Sequence, residues 1–306
     1  MSEDEPGLSL LPHLRWGRLL PTPQGLFAVE DFGGSGPDVL LVHGTGHNLA
    51  VWAPLAECLR AQGRVAAFDL RGHGQTPQDS SGPEQYWRDI GAVAAALDMH
   101  RPWLVGHSTG GYAVTAFAAA GGDCAGIVAL DGFVLDARQT PEERQAWHLP
   151  REQLWDLFRY GWHAAPAEVD DYVAQVCAQA PGDWLNAGVP VERVAAFTRR
   201  AFLALGDGRL LRRPTLEEIA LVSQPDPAES IFPSVDLYER LDVPAGFVLA
   251  TRGLYASRRP VLEAVVARRA NRRLRVLDAN HNVHLQQPQA VADFVTEMLN
   301  GLTNPP

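Results

Sequence analysis

Lysine is missing from this chain: all 26 basic residues are arginine. That absence excludes chemistry needing a side-chain amine, namely Schiff-base formation, pyridoxal phosphate and a Walker-type phosphate loop. Positive charge is also in deficit. With 36 Asp and Glu the formal net charge is −10, which argues against nucleic acid or an anionic membrane as partner. Cysteine is scarce. Cys58, Cys124 and Cys177 lie far apart in apolar surroundings, as expected of reduced, packed thiols rather than a disulfide framework or a metal site. No uninterrupted apolar run approaches the ~20 residues of a membrane span. The start, Met1 to Pro6, is acidic and lacks the basic and apolar regions of a secretory signal. A cytoplasmic protein without membrane insertion is therefore expected. What is present is core-forming: 46% hydrophobic and 20% charged residues over 306 positions fit one large α/β domain carrying an insertion.

The chain is organised around Trp103-Leu-Val-Gly-His-Ser-Thr-Gly-Gly-Tyr112. A short apolar strand, 102–105, runs into Gly106-His107-Ser108-Thr109-Gly110, and small helix-compatible residues follow. A serine in the pattern G-x-S-x-G at a strand-to-helix junction is the nucleophile-elbow signature. The reason is steric. The turn strains the serine backbone, and only flanking glycines let strand and helix approach closely. Ser108 Oγ then stands at the carboxyl edge of a sheet, beside helix N-terminal N–H groups that favour a developing negative charge.

Strands alternate with helices around this stretch. Strands are expected at 14–20 and 26–31 around a Pro/Gly turn at 21–25, then at 38–43, 64–70 and 125–130. Amphipathic spacing predicts helices at 51–62 and 83–99. From 133 to 241 the patterning is helical with no strand, over 141–148, 151–160, 167–179, 191–205 and 215–222. Alternation resumes with a strand at 244–251, a helix at 260–270, a strand at 274–277 and a helix at 288–299. The expected fold is an α/β doubly wound, mostly parallel sheet. Residues 1–132 and 242–306 form its core, and a helical cap, 133–241, is inserted over the sheet's carboxyl edge.

That edge collects the chemistry-bearing residues. His43-Gly44-Thr45-Gly46 closes a buried strand, and the backbone N–H groups of Thr45 and Thr109 are candidate oxyanion donors. His43 itself reads as a structural hydrogen-bonding residue. His281 sits in a loop after the last strand and before Pro288. An imidazole there is the fitting general base, since its pKa lies near neutrality. His284 competes, but it lies closer to the helix start and is read as packing.

In His43-Gly44, Asp69-Leu-Arg-Gly-His-Gly74, Gly106-His-Ser-Thr-Gly110 and Asn280-His281…His284-Leu-Gln-Gln-Pro288 the chain resembles the capped branch of the α/β-hydrolase superfamily. Asn280 stands where the family's last motif has Gly, and Gln286 where it has Glu. The resemblance implies Ser108 as nucleophile, His281 as base, Thr45 and Thr109 as the oxyanion hole, and structural roles for Asp69, Arg71 and His73. Serine at 108 departs from the epoxide-hydrolase and haloalkane-dehalogenase branches, whose reactions need a carboxylate nucleophile. The family usually carries its triad acid after the strand assigned to 244–251. Here the following stretch, 252–260, holds no Asp or Glu. Glu263 falls within a helix, Asp278 belongs to the histidine loop, and Asp136 is a weaker substitute. The acid is therefore assigned to Asp131, at the end of the strand after the elbow helix, a position that several branches use.

The segment 133–241 is rich in aromatics: Trp147, Trp155, Phe158, Tyr160, Trp162, Tyr172 and Trp184. Trp155, Tyr160, Trp162 and Trp184 are the expected substrate-binding set, fitting a moderately large apolar molecule. The expected activity is hydrolysis of a carboxylic ester, lactone or thioester of a small-molecule substrate through an acyl-enzyme on Ser108, with no cofactor and no metal. A C–C bond hydrolase shares the same triad. A non-hydrolytic ligand receptor is the reading from another class, favoured by the absent acid after Thr251. Nothing in the sequence bears on oligomeric state.

Overall fold

The computed structural model describes residues 17–138 and 150–301. The first apolar runs become β1 (Arg18–Thr22), β2 (Gly25–Gly33), β3 (Asp38–Val42), β4 (Arg64–Phe68), β5 (Trp103–His107) and β6 (Gly126–Leu130). Between them lie α1 (Ala53–Leu59), α2 (Gln85–Ala96) and α3 (Thr109–Ala119). The segment that follows holds α4 (Arg151–Phe158), β7 (His163–Ala164), α5 (Pro166–Gln179), α6 (Val191–Arg200), β8 (Phe202–Ala204), β9 (Leu210–Arg212) and α7 (Leu216–Val222). The chain then returns through β10 (Ala245–Arg252), α8 (Arg259–Ala267), β11 (Arg272–Asn280), α9 (Val283–Gln286) and α10 (Pro288–Leu299). Residues 14–16 of the first expected strand, and the expected helix at 141–148 with Trp147, lie outside the described residues.

The main sheet has eight strands in the order β1-β2-β4-β3-β5-β6-β10-β11. Strands β1 and β2 are antiparallel to their neighbours, and the other pairings are parallel. Central strands such as Val39–Val42 and Val65–Phe68 are buried on both faces, which is why they read as continuous apolar runs. Because side chains alternate across a strand, each run divides between two cores. Leu40, Val42, Leu104 and Phe247 pack with Ile90, Val93 and Leu262 of α2 and α8 on one face. Val39, Leu41, Val105 and Val248 pack with Leu55, Phe294 and Val295 of α1 and α10 on the other. Each such side chain contributes about 1.5–3 kcal/mol of burial.

The segment between β6 and β10 differs from its expected all-helical character. Strands β7, β9 and β8 form a small antiparallel sheet. The helix expected to reach 205 stops at Arg200, and the chain turns through Gly206-Asp207-Gly208, with Gly208 at φ 81°. Leu205 N–H donates to Arg209 O at 2.8 Å across that turn. Gly-Asp-Gly between short apolar runs is a hairpin signal, and helical periodicity obscured it. Buried polar contacts join this segment to the main sheet's loops. Arg200 Nη2 lies 2.8 Å from Asp69 Oδ2. Asn48 Nδ2 donates to Phe197 O at 2.8 Å, and Gln75 Nε2 donates to Arg200 O and Phe202 O at 2.8 and 2.9 Å. Among the described residues, no helix is long and apolar enough to cross a membrane.

Candidate active site

Strand β5 delivers Ser108 at its carboxyl end, with φ 54° and ψ −122°. Non-glycine residues seldom adopt such a backbone, and it persists only where its surroundings over-determine it. They do so here. A Cβ on Gly106 would lie 2.0 Å from Gly110 O, so glycine is required for the strand and α3 to meet. Ser108 N–H donates to Leu130 O at 3.1 Å, tying the elbow to the end of β6 and to Asp131 just beyond it.

Asp131 is fully buried. Its Oδ2 accepts from His281 Nδ1 at 2.7 Å and from Leu254 N–H at 3.1 Å. Its Oδ1 accepts from Ala250 N–H at 3.2 Å. Both backbone donors come from β10 and the turn after it, the place where the acid was missing. That turn thus supplies donors to a carboxylate on the neighbouring strand. Gly253 makes room for it, since a Cβ there would stand 2.1 Å from Oδ2.

His281 directly follows β11 and is 4% exposed. With Nδ1–H given to Asp131, Nε2 keeps its lone pair. The His281 carbonyl accepts from His107 Nε2 at 3.0 Å, and the two rings lie 4.6 Å apart. The loop that carries His281 is thereby fastened to the residue preceding Ser108. Gln286 serves the same loop. Its Oε1 accepts from Asn280 N–H at 2.7 Å, while its Nε2 donates to Ala187 O. A glutamate carboxylate offers no such donor.

The turn after β3 lies against the elbow: a Cβ on Gly44 would be 3.3 Å from Ser108 Oγ. Thr45 Oγ1 and Thr109 Oγ1 are 2.8 Å apart, and Tyr86 Oη is 3.4 Å from Thr45 Oγ1. Thr109 opens α3, so its N–H belongs to the first turn, where no intrahelical acceptor exists. His43 is fully buried and saturated. Its Nδ1–H donates to Gly44 O at 2.8 Å, and Nε2 accepts from Leu70 N–H at 2.9 Å. Burial holds its pKa well below 6.5. Arg71 forks onto Asp89 at 3.0 and 2.8 Å. Asp69 accepts from Leu49 and Gln75 N–H at 2.7 and 2.8 Å. His73 Nδ1 lies 3.0 Å from Arg71 O.

A pocket of about 590 Å³ opens over Ser108. Thr45, Tyr86, Thr109, Tyr112, Phe133, Val222, Leu254, Tyr255 and Arg258 contribute to its wall. The expected aromatic set divides. Tyr160 packs against the turn after β3, so closely that a Cβ on Gly46 would meet its hydroxyl. Trp184 faces the His281 ring at 6.4 Å. Trp155 and Trp162 are not brought to Ser108. They line a separate recess of about 410 Å³ with Glu168, Asp171 and Tyr172. The reason is local: α4 buries none of its residues, and Trp162 packs edge-on against Tyr172 and Phe202 at 5.7 and 6.0 Å. The pocket walls Tyr112, Phe133 and Tyr255 were not anticipated. Tyr112 lies one helical turn after Ser108, Phe133 just after Asp131, and Tyr255 just after β10. Position beyond a strand's carboxyl end was the available signal.

Strand order, elbow and the histidine after β11 together define an α/β-hydrolase fold. The sequence profile of the Alpha/beta hydrolase family matches residues 39–294, and the chain belongs to that family. Protein phosphatase methylesterase 1 of Mus musculus is 40% identical over 98 residues, 29% of this chain and 25% of that protein. The chain thus matches only about a quarter of the length of these curated relatives. Among solved structures, E-2-(acetamidomethylene)succinate hydrolase superposes with a TM-score of 0.71 at 21% identity, covering 93% of this chain and 99% of that one. The enol-lactonase of Burkholderia xenovorans gives a TM-score of 0.62 at 20% identity, covering 92% and 100%. At such identities the likeness is one of fold.

Proposed function

We propose that the protein is a serine hydrolase that cleaves a carboxylic ester, lactone or thioester, with Ser108 as nucleophile, His281 as general base and Asp131 as the acid of the triad. The observation that carries this reading is the 2.7 Å bond between His281 Nδ1 and the buried Asp131 carboxylate, beside a strained elbow serine. In the proposed reaction Ser108 Oγ attacks the carbonyl carbon while His281 Nε2 takes its proton. Asp131 holds the imidazole tautomer and stabilises the imidazolium. The tetrahedral oxyanion is held by the N–H groups of Thr45 and Thr109, each worth a few kcal/mol in the transition state. His281 then protonates the leaving group. A water molecule, deprotonated by the same imidazole, releases the acid and regenerates Ser108. This chemistry calls for neither metal nor cofactor.

The segment 133–241 serves in this reading as a lid, with Val222 and Pro233 reaching the pocket wall. A volume of about 590 Å³ with Tyr86, Tyr112, Phe133 and Tyr255 around it suits a moderately large apolar small molecule. The carboxylate supplied by Asp131 weighs against a disabled, purely ligand-binding protein. A C–C bond hydrolase needs the same three residues, and substrate turnover separates it from an esterase.

The test is labelling by a fluorophosphonate probe, together with turnover of nitrophenyl esters, lactones, acyl thioesters and a vinylogous diketone. Labelling that Ser108→Ala abolishes, with turnover of at least one ester-class substrate, is expected. An unlabelled protein inert on the whole panel sinks the enzyme reading, and turnover of the diketone alone moves it to C–C hydrolysis.

A further inference from the structure

Behind the elbow lies a cluster of histidines that the reaction above does not use. One ring nitrogen from each of His47, His107 and His284 lies within 4.8 Å of the others. His107 and His284 are fully buried, and His47 is half-buried. The rings sit face to face or tilted, at 5.6 Å for His47 and His107 and 4.3 Å for His107 and His284. Their hydrogen bonding is incomplete. His47 Nδ1, His107 Nδ1 and both nitrogens of His284 are buried with no partner among the described residues. Buried polar atoms left without a partner are costly, and a bound ion is one of the things that accounts for such a group in a native interior.

The tautomer at His107 says what kind. Its Nε2 faces the His281 carbonyl at 3.0 Å. A carbonyl only accepts, so the proton sits on Nε2, and Nδ1, buried without a partner, carries a bare lone pair. Imidazole fixed by an N–H to a backbone carbonyl, with its other nitrogen left free, is the usual outer-sphere arrangement of a metal-ligating histidine. Burial pushes His47 down to about 3, and His107 and His284 well below 6.5, so the low-dielectric surroundings disfavour the protonated rings.

We propose that His47, His107 and His284 form a binding site for a single zinc-class divalent transition-metal ion. With metal–nitrogen bonds of about 2.0–2.1 Å, two ligating nitrogens can be at most about 4.2 Å apart. All three pairs lie within 4.8 Å, so the widest has to close by no more than about 0.6 Å to come within that reach. Neutral imidazoles suit Zn²⁺, Cu²⁺ or Ni²⁺ and not Mg²⁺ or Ca²⁺, which take oxygen ligands. The ligands carry no charge, so the fourth position falls to hydroxide or another small anion. His47 is the side from which the ion and that anion enter. The site does not depend on whether Ser108 is a nucleophile. Through the His107–His281 bond, however, an ion here stiffens the loop that carries His281.

The experiment uses the full chain, stripped with chelator and titrated with Zn²⁺ and separately with Co²⁺. Equilibrium dialysis with elemental analysis is expected to give one ion per chain. The Co²⁺ protein is expected to show the visible absorption of a four-coordinate nitrogen site, and Zn²⁺ to raise the midpoint of thermal unfolding. His47→Ala, at the half-exposed position, and His284→Leu are both expected to weaken binding by more than the 10–100-fold that loss of an outer partner costs. His100→Ala, an exposed histidine paired with Asp98, and Ser108→Ala are expected to keep it. The wild-type thermal shift reads the proposal even if a variant fails to fold. No uptake and no shift in wild type at micromolar free Zn²⁺ overturns it. So does binding that survives both His47→Ala and His284→Leu, or binding lost with His281→Ala yet kept with His47→Ala.

Discussion

Lowering the pH from 7 to 5 should cost this fold about 2 kcal/mol through His73, with His43 adding in the same direction, and neither lines the substrate pocket. His43 and His73 are packed ring against ring at 5.3 Å in the loops after β3 and β4. Burial holds His43 well below its ordinary 6.5 and brings His73 down to about 4. Their neighbours explain the direction. A second proton on His43 would sit on Nε2, which already accepts from Leu70 N–H at 2.9 Å, so two N–H groups would face each other. Between the folded and unfolded pKa values the unfolded chain binds a proton that the folded chain does not. Stability is therefore complete above about pH 6.5 and falls as pH drops toward 4. At pH 5 the solution lies about 1.5 pH units below the unfolded pKa of His73 and still above its folded value of about 4, which at about 1.36 kcal/mol per unit is about 2 kcal/mol. His43 adds to this loss, out of a total typically near 5–15 kcal/mol. His47, His107 and His284 shift in the same direction, so the cleanest reading is a difference. Urea unfolding at fixed ionic strength with chelator present gives free energy against pH for wild type and for His73→Gln. The variant should be less stable at pH 7.5, yet its slope below pH 6 should be shallower by about 1.4 kcal/mol per pH unit, one proton's worth. Parallel slopes, or a wild-type curve flat between pH 7 and 5, would refute the reasoning.

Other consequences follow from single contacts. Asp131→Asn removes the acceptor that holds the His281 tautomer, and kcat should fall about 10⁴-fold with the fold intact; a value within a few fold of wild type removes Asp131 from the triad. Gly253→Ala places a methyl where Asp131 Oδ2 stands, so it should lower kcat with little change in KM, read by steady-state kinetics on the best ester. Arg200→Met leaves the Asp69 carboxylate buried without its 2.8 Å partner. Loss of one member of a buried pair costs about 3–5 kcal/mol, which should appear as a lowered denaturation midpoint. Phe133→Ala opens the pocket wall and should shift kcat/KM toward bulkier acyl groups across an ester series, while labelling of Ser108 is unchanged.

The parts of the chain that were legible before any coordinates are those where one constraint dominates. Runs such as Val39–Val42 face two apolar cores at once and have no alternative reading. The elbow was legible because Gly106 and Gly110 leave room that no other residue could. Asp131 follows from the family resemblance, which places an acid at one of two strand ends, because 252–260 offers no carboxylate, and the structure sets that residue against His281. Elsewhere competing constraints hid the answer. β11 runs from Arg272 to Asn280, longer than the apolar core 274–277, because it is an edge strand whose Arg273 and Arg275 can face water. The strands β7 to β9 are only two or three residues long, too short for an alternating pattern to outweigh helical spacing on either side. Pocket walls depend on which loop ends converge, and aromatic richness alone pointed as much to Trp155 and Trp162 as to residues that do reach Ser108.

The position of the carboxylate has a consequence for how this enzyme can change. The turn from Gly253 to Arg258 gives Asp131 a backbone N–H, that of Leu254, and every residue except proline keeps that donor. Leu254, Tyr255, Ser257 and Arg258 meanwhile line the pocket. Where the acid itself sits in this turn, every substitution risks the reaction along with the specificity. With Asp131 as the proposed acid, the two are separable. Saturation libraries at 254, 255 and 257, with Gly253 held fixed, are therefore a natural place to retune substrate choice by directed evolution, and the same freedom gives natural drift a route to new substrates without passing through inactive intermediates.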